Sequence, residues 1–216
     1  MIKIFDLAED PDLVRYVNLV GRAVAQFAPR RVPYRFAVLN TDMVAAFALP
    51  GGFVFITQGA LARMENEAQL AGVLGHEIVH VAERHLEREI RSRAANQWVA
   101  DEAKGMTGDV LQQRADALVK ELFDMKLSRD KEDHADREGV LLASRTGYAA
   151  GGLAEFLGIL AAEASKEENS RAFGQLMSTH PPFADRIDRL EQLAEIKAGG
   201  ETMRARFEVM VSGNGP

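Results

Sequence analysis

The sequence predicts an α+β fold that is mainly helical, with a small β-sheet and a hairpin packed near one buried helix. Two observations lead to this expectation. Long segments of the chain carry apolar side chains at helical spacing. After the first of them come three short segments rich in Val, Phe and Tyr, the residue types favoured in strands.

The first predicted helix covers residues 10–27, because its apolar side chains recur at helical spacing until Pro29 and Pro33 end the pattern. The predicted strands are 34–40, 44–49 and 53–57. Pro50, Gly51 and Gly52 form a turn between the last two strands. A small sheet that contains a hairpin is therefore expected.

A second helix is predicted from Asn66, a suitable N-cap with Gln69 in the capping-box position, to about residue 93. A loop is expected at 101–109, followed by a helical stripe that we interpret as core packing: Leu111, Ala115, Leu118, Leu122 and Met125. Further helices are expected at 153–164 and 182–197, separated by a loop at 165–170. Residues 203–211 alternate between apolar and charged types, which predicts a strand.

Length and composition suggest one globular domain over residues 1–216, with a core at about 10–198 and a C-terminal extension at 199–216. The net charge is −6 and most arginines alternate with acidic residues, so no nucleic-acid partner is expected. No segment approaches the roughly 20 apolar residues of a transmembrane helix, so we expect no membrane span. Because cysteine is absent, His, Asp and Glu are the strong metal ligands available.

The central motif is HExxH, formed by His76, Glu77 and His80 within the second predicted helix. At about 100° per residue, the two histidines lie one turn apart on the same helix face and can bind one ion. Two core histidines without a metal are the alternative. A buried polar cluster without a function would be costly, which favours the metal site.

A catalytic zinc site needs a third protein ligand. One class of zinc peptidase places a third His six residues after the second, with a Gly between, but this chain has Leu86 and Glu83 there. His85 lies about half a turn away from His76 on a continuous helix, so we interpret it as structural. Glu132 and Asp136 instead share one face of a further helix, with His134 turned away, and have the spacing of a ligand and its hydrogen-bonding partner.

Four stretches resemble the zinc metallopeptidase family that includes the CAAX prenyl protease, HtpX and BepA. They are ALPGGFVFIT at 48–57, LGHEIVHVAERH at 74–85, SRDKEDHAD at 128–136 and THPPFADRI at 179–187. The resemblance covers most of the chain and is greatest to the soluble members of the cell envelope. It implies a zincin-like fold of the gluzincin type.

The resemblance also implies one Zn²⁺ per chain held by His76, His80 and Glu132, with Asp136 as second-shell partner. Glu77 is expected to be the catalytic base. A His at the position of His180 is expected near the zinc, either as a fourth ligand in a latent state or as a donor to the substrate oxyanion. A structural role before Pro181 stays open. Arg186 is expected to orient this neighbourhood.

The predicted function is zinc-dependent endoproteolysis of unfolded or flexible protein segments, in protein quality control. We expect residues 53–57 to form an exposed edge strand that binds extended peptides by main-chain hydrogen bonds, through Gly52, Phe53, Val54 and Phe55. The alternative is a zinc-binding but catalytically latent module, chaperone-like or binding, in which His180 blocks the metal. A metal-free helical scaffold is a second alternative.

Overall fold

A computed structural model describes residues 6–94, 125–166, 172–173, 176, 180, 183–197 and 199–211. Its helices are α1 (Pro11–Ala25), α2 (Gln58–Leu61), α3 (Glu67–Ala82), α4 (His85–Ala94), α5 (Arg129–Arg145), α6 (Gly152–Ala164), α7 (Phe183–Ile196) and α8 (Arg204–Val211). Its strands are β1 (Arg35–Leu39), β2 (Ala46–Leu49) and β3 (Phe53–Thr57). The predicted α+β class, mainly helical with a small sheet, is confirmed.

The three strands form one sheet in the order β1-β3-β2. β3 runs parallel to β1 and antiparallel to β2, and the predicted hairpin joins β2 to β3. Gly51 and Gly52 turn the hairpin with φ angles of 92° and 94°, a backbone conformation that glycine adopts without steric cost.

The prediction that residues 53–57 form an edge strand is wrong, because β3 is the central strand. Its parallel pairing with β1 runs from Arg35 opposite Phe53 to Leu39 opposite Thr57. Alternating burial looks the same in a central and an edge strand, so the sequence pattern did not distinguish them. The two edge strands are β1, which packs against α1, and β2, which packs against α3.

Helix α3 lies at the centre of the fold, and all of its residues are buried. It packs against α5, α6, α1 and β2. The predicted N-cap is confirmed, since Asn66 Oδ1 accepts the Gln69 N–H at 3.1 Å. The side chain of Gln69 in turn accepts the Glu65 N–H at 2.8 Å, so the chain entering α3 is also fixed.

A pair of glycines sets the close approach of α3 and α5. A Cβ on Gly75 would lie 2.6 Å from the Gly139 carbonyl oxygen, and one on Gly139 would lie 2.6 Å from the His76 nitrogen. Side chains at either position would force the helices apart. The two glycines therefore allow α5 to bring its acidic side chains against the HExxH face of α3.

The second predicted helix is interrupted, contrary to the prediction that it continues to about residue 93. Helix α3 ends at Ala82, Glu83 is its C-cap, and Arg84 has a φ of 54°. α4 then starts at His85. Left-handed backbone at an arginine is uncommon, and helical spacing gives no signal for it.

The C-terminal strand predicted at 203–211 is also wrong, because this segment forms helix α8. Phe207 is the one residue of α8 that is buried, and Met210 and Val211 pack on the core at helical spacing from it. None of the described strands pairs with this segment, so its alternating apolar residues do not form part of a sheet. Arg206 forms an ion pair with the buried carboxylate of Glu67 on α3.

The remaining predicted helices and loops agree with the structure where it describes them. The helices expected at 10–27, 153–164 and 182–197 correspond to α1, α6 and α7. The loop at 101–109 and the stripe from Leu111 to Leu122 lie outside the described residues, whereas Met125 is buried. None of the described helices combines the length and the apolar character needed to cross a membrane.

Candidate metal centre

Three buried side chains from two helices converge on one point. His76 and His80 on α3 face each other with their Nε2 atoms 2.9 Å apart. The Glu132 carboxylate on α5 lies 3.6 Å from each of these nitrogens, through Oε2 to His76 and Oε1 to His80. One ligand atom from each residue lies within 4.8 Å of the others, close enough to hold a metal ion.

The chemistry of this group fits a divalent cation. Among the described residues, Glu132 Oε1 is buried and has no hydrogen-bond partner, a costly arrangement that a bound cation would relieve. Two imidazole nitrogens and one carboxylate oxygen are a donor set of catalytic zinc sites, which use three protein ligands and leave a fourth position open. The residues predicted as ligands are therefore brought together in a suitable form.

The side chain of His76 is oriented by the carboxylate of Asp136, which is itself bound by Arg186. His76 Nδ1 lies 2.9 Å from Asp136 Oδ1. Arg186 on α7 makes a bidentate ion pair with Asp136, at 2.8 Å from Nε to Oδ2 and 2.7 Å from Nη2 to Oδ1. Burial alone would raise the pKa of Asp136, but Arg186 and His76 hold it well below its usual range.

This arrangement determines where the proton of His76 lies. Because the Asp136 carboxylate accepts hydrogen bonds, His76 carries its proton on Nδ1 and directs Nε2 at the candidate metal position. Burial, with a further contribution from His76, places the pKa of His80 well below its ordinary value. Burial would lower the pKa of His76, but Asp136 raises it above its ordinary value, so a cation would compete with a proton at His76 Nε2 while His80 offers its Nε2 lone pair directly.

Glu77 lies beside the candidate ligands, and its buried side chain faces a cavity. Burial raises the pKa of the Glu77 carboxyl above its usual value, against the lowering effects of His76 and His180. The cavity holds about 420 Å³ of empty space, including its mouth. Its apolar wall comes mainly from α6: Leu153, Phe156, Leu157 and Leu160.

His180 reaches the same centre from the segment before α7. Its Nδ1 lies 2.5 Å from Glu132 Oε2, and its ring centre is 5.5 Å from that of His76. Burial would raise the pKa of Glu132, but His180, His76 and His80 lower it well below the usual range. The resemblance suggested that His180 would lie here, whereas spacing alone gave no such indication.

His85 does not point away from the centre, as a continuous helix would require. The break at Arg84 turns it back, and its Nδ1 lies 2.9 Å from His80 Nδ1. Burial, together with the nearby His134, Lys131 and Arg88, lowers the pKa of His85 to about 4. The contact between His80 and His85 is the feature of the site that sequence reasoning missed.

Three of the residues predicted to bind substrate, Phe53, Val54 and Phe55, lie on the central strand, and Gly52 lies in the turn before it. Val54 is buried, and Phe55 stacks on Phe47 with ring centres 5.1 Å apart. β2 lies between β3 and the site, and Ala46 lines the cavity together with Glu77. Residues 53–57 are therefore separated by β2 from the sheet edge that they were expected to form.

β2 presents its own unpaired main chain on the side away from β3. The Thr57 N–H donates to the Ala45 carbonyl, and strand alternation then directs the main-chain groups of Ala46 and Ala48 outward. None of the residues that the structure describes pairs with these outward groups. The preceding outward group, the Val44 N–H, donates to the Ala172 carbonyl at 2.8 Å, so among the described residues the unpaired part of this edge begins at Ala46.

Comparison with known proteins gives consistent matches. The family model described as "Peptidase family M48" matches residues 8–194. The chain is 30% identical over 206 residues to the beta-barrel assembly-enhancing protease of Escherichia coli (strain K12), covering 87% of this chain and 41% of that protein. The chain therefore spans about two fifths of the length of that relative.

Two further relatives carry metalloprotease names. The mitochondrial metalloendopeptidase OMA1 of Arabidopsis thaliana is 29% identical over 164 residues, or 74% of this chain and 32% of the relative. The metalloprotease YcaL of Escherichia coli (strain K12) is 28% identical over 161 residues, or 73% of this chain and 61% of the relative.

Proposed function

Because the chain belongs to peptidase family M48, a family of metallopeptidases, we propose that it is a zinc-dependent endopeptidase that cleaves unfolded or flexible protein segments. The observation that carries this proposal is the convergence of His76, His80 and Glu132 beside the buried Glu77. We further propose a role in protein quality control, on the ground that one relative is named a beta-barrel assembly-enhancing protease.

The proposed chemistry assigns the ligands to His76, His80 and Glu132 and the proton transfers to Glu77. When bound, zinc would supply a Lewis acid that polarises the scissile carbonyl and lowers the pKa of a water molecule. Glu77 accepts the proton of that water and then gives it to the leaving amine. Its burial makes the carboxylate a stronger base than an exposed one, which suits both transfers.

His180 and Arg186 have separate proposed roles. His180 is partly exposed and lines the cavity, so its imidazole can donate a hydrogen bond to the oxygen that becomes negative in the transition state. Arg186 holds Asp136, which orients His76, so its effect on the reaction is indirect. His180 contacts the candidate ligand Glu132 directly, whereas Arg186 contacts Asp136.

The substrate is proposed to bind as an extended chain along the outer edge of β2. Main-chain hydrogen bonds to Ala46 and Ala48 do not depend on side-chain identity, so they suit flexible segments of varied sequence. The apolar wall of the cavity would accept a large apolar side chain next to the scissile bond. Gly52, Phe53, Val54 and Phe55 would then support β2 from behind.

Metal analysis combined with casein digestion tests this function. We expect about one zinc per folded chain, and complete loss of cleavage on chelation, because the proposed chemistry requires the ion. Adding zinc back should restore cleavage. Mapped cleavage sites should be enriched in large apolar residues on one side of the cut. A fully folded protein that binds no zinc would contradict the central proposal.

A second candidate function is favoured by one contact, the 2.5 Å approach of His180 to Glu132. In this latent state His180, held beside the candidate position by its contact with Glu132 Oε2, would block the metal, and the protein would act as a zinc-binding or chaperone-like module. Such a module would keep its cellular function when Glu77 is replaced by Gln.

The variant His180→Ala separates the two candidate roles of His180. If His180 donates to the oxyanion, turnover should fall by about 100-fold or more, as for removal of one oxyanion donor. If it holds the site shut, turnover should rise. Casein hydrolysis rates measured at saturating zinc distinguish these outcomes, and His134→Ala provides a matched control at a nearby histidine outside the proposed ligand set.

A further inference from the structure

The two candidate histidine ligands have different hydrogen-bonding partners at Nδ1, the ring nitrogen that does not face the candidate metal position. His76 Nδ1 faces the carboxylate of Asp136, an anion, at 2.9 Å. His80 Nδ1 faces the imidazole of His85 at the same distance, and the two rings meet edge to face with centres 5.0 Å apart. His85 is 4% exposed, so water does not compete freely for this contact.

The number of protons on the two rings determines whether His80 or His85 is the hydrogen-bond donor. Two imidazole nitrogens 2.9 Å apart form a hydrogen bond when one proton lies between them. If His80 binds a metal through Nε2, the single proton of its neutral ring is on Nδ1, and His80 donates. His85 must then accept through the Nδ1 lone pair and carry its own proton on Nε2.

His85 has a second ring neighbour besides His80. The ring of His134 lies on another side of His85, with centres 6.0 Å apart. Among the described contacts of these three rings, the one at hydrogen-bond distance joins His85 Nδ1 to His80 Nδ1. His85 is therefore a buried partner available to His80.

The backbone turn at Arg84 brings His85 to this position. On an uninterrupted helix, five residues correspond to about 500°, so His85 would lie about 140° away from His80 around the axis. Left-handed backbone at a non-glycine residue costs on the order of 1 kcal/mol and persists only where the surrounding structure maintains it. Here the turn gives His80 a buried partner.

We propose that His85 is a positioning residue that accepts the Nδ1 proton of His80 and thereby directs His80 Nε2 at the metal. The inference rests on the proposed metal site and adds a residue to it. Hydrogen-bonding partners of metal-bound histidines fix the tautomer and ring orientation, and removing such a partner typically weakens metal affinity about 10- to 100-fold.

The test compares three full-length variants with the wild type by zinc affinity, measured in competition with a chelator of known affinity. His85→Phe keeps an aromatic ring but has no acceptor, and we expect about 10- to 100-fold weaker zinc binding. His85→Asn keeps an acceptor near the Nδ1 position and should recover most of the affinity. His134→Phe changes the other neighbour of His85 and should bind zinc within about twofold of the wild type.

Unfolding of the zinc-free proteins separates positioning from simple packing. If His85→Phe binds zinc as tightly as the wild type, or if His85→Asn binds as weakly as His85→Phe, the inference is overturned. It is also overturned if zinc-free His85→Phe loses stability enough to account for its weaker binding. A wild-type protein that binds no zinc would instead refute the proposed metal site itself, and the two failures are thus distinguishable.

Discussion

Replacing Glu77 with Gln is expected to lower peptide-bond hydrolysis by about 10²- to 10⁴-fold, the usual contribution of a general acid–base residue. The amide has nearly the same shape as the carboxylate but cannot accept the proton of water. Glu77 is not among the three residues grouped around the candidate metal position. Zinc content should therefore stay near one per chain while turnover is lost.

Casein hydrolysis and zinc content should be measured on the same preparations, with Glu83→Gln as the matched control. Glu83 is the C-cap of the same helix and lies outside the cavity that Glu77 faces. We expect the control to retain wild-type turnover within about twofold, as is usual for substitutions away from special features. Turnover of Glu77→Gln close to that of the wild type would disprove the assigned role of Glu77.

Local periodicity predicted the parts of the site that lie within single helices. His76 and His80 are one turn apart on α3, and Glu132 and Asp136 share the face of α5 that packs against it. Such relations follow from helix geometry alone. Helix geometry therefore predicted which side chains share a face, and the resemblance to the zinc metallopeptidase family predicted that the two faces converge.

Features that depend on long-range contacts or on single backbone angles were less accessible. Spacing gave no indication that Arg186 would pair with Asp136, because α7 is 50 residues away from that carboxylate in sequence. The left-handed backbone at Arg84 could not be predicted, because the residue is not a glycine. The predicted helix therefore continued through Arg84, and His85 was placed on the wrong helix face. The prediction that β3 is an edge strand was wrong for a similar reason. The pairing of β3 with β1 cannot be read from the sequence of either strand alone.

Removing the Asp136 carboxylate is expected to destabilise the fold as well as the metal site. In Asp136→Ala the guanidinium of Arg186, 3% exposed, loses its bidentate partner, and His76 Nδ1 loses its acceptor. Leaving one member of a buried ion pair without its partner costs about 3–5 kcal/mol. The free energy of unfolding, measured by denaturant titration of the zinc-free protein, should fall by about this amount.

An acidic residue on the same helix provides the matched control. Asp133 pairs with Arg189 of α7 at 2.5 Å, but these side chains are 33% and 44% exposed, and exposed ion pairs contribute about 0–1 kcal/mol. Asp133→Ala should therefore change the free energy of unfolding little. Equal losses for the two variants would mean that burial of the Asp136–Arg186 pair is not what stabilises the packing of α7 on α5. A loss confined to Asp136→Ala would link the orientation of His76 to the stability of the fold.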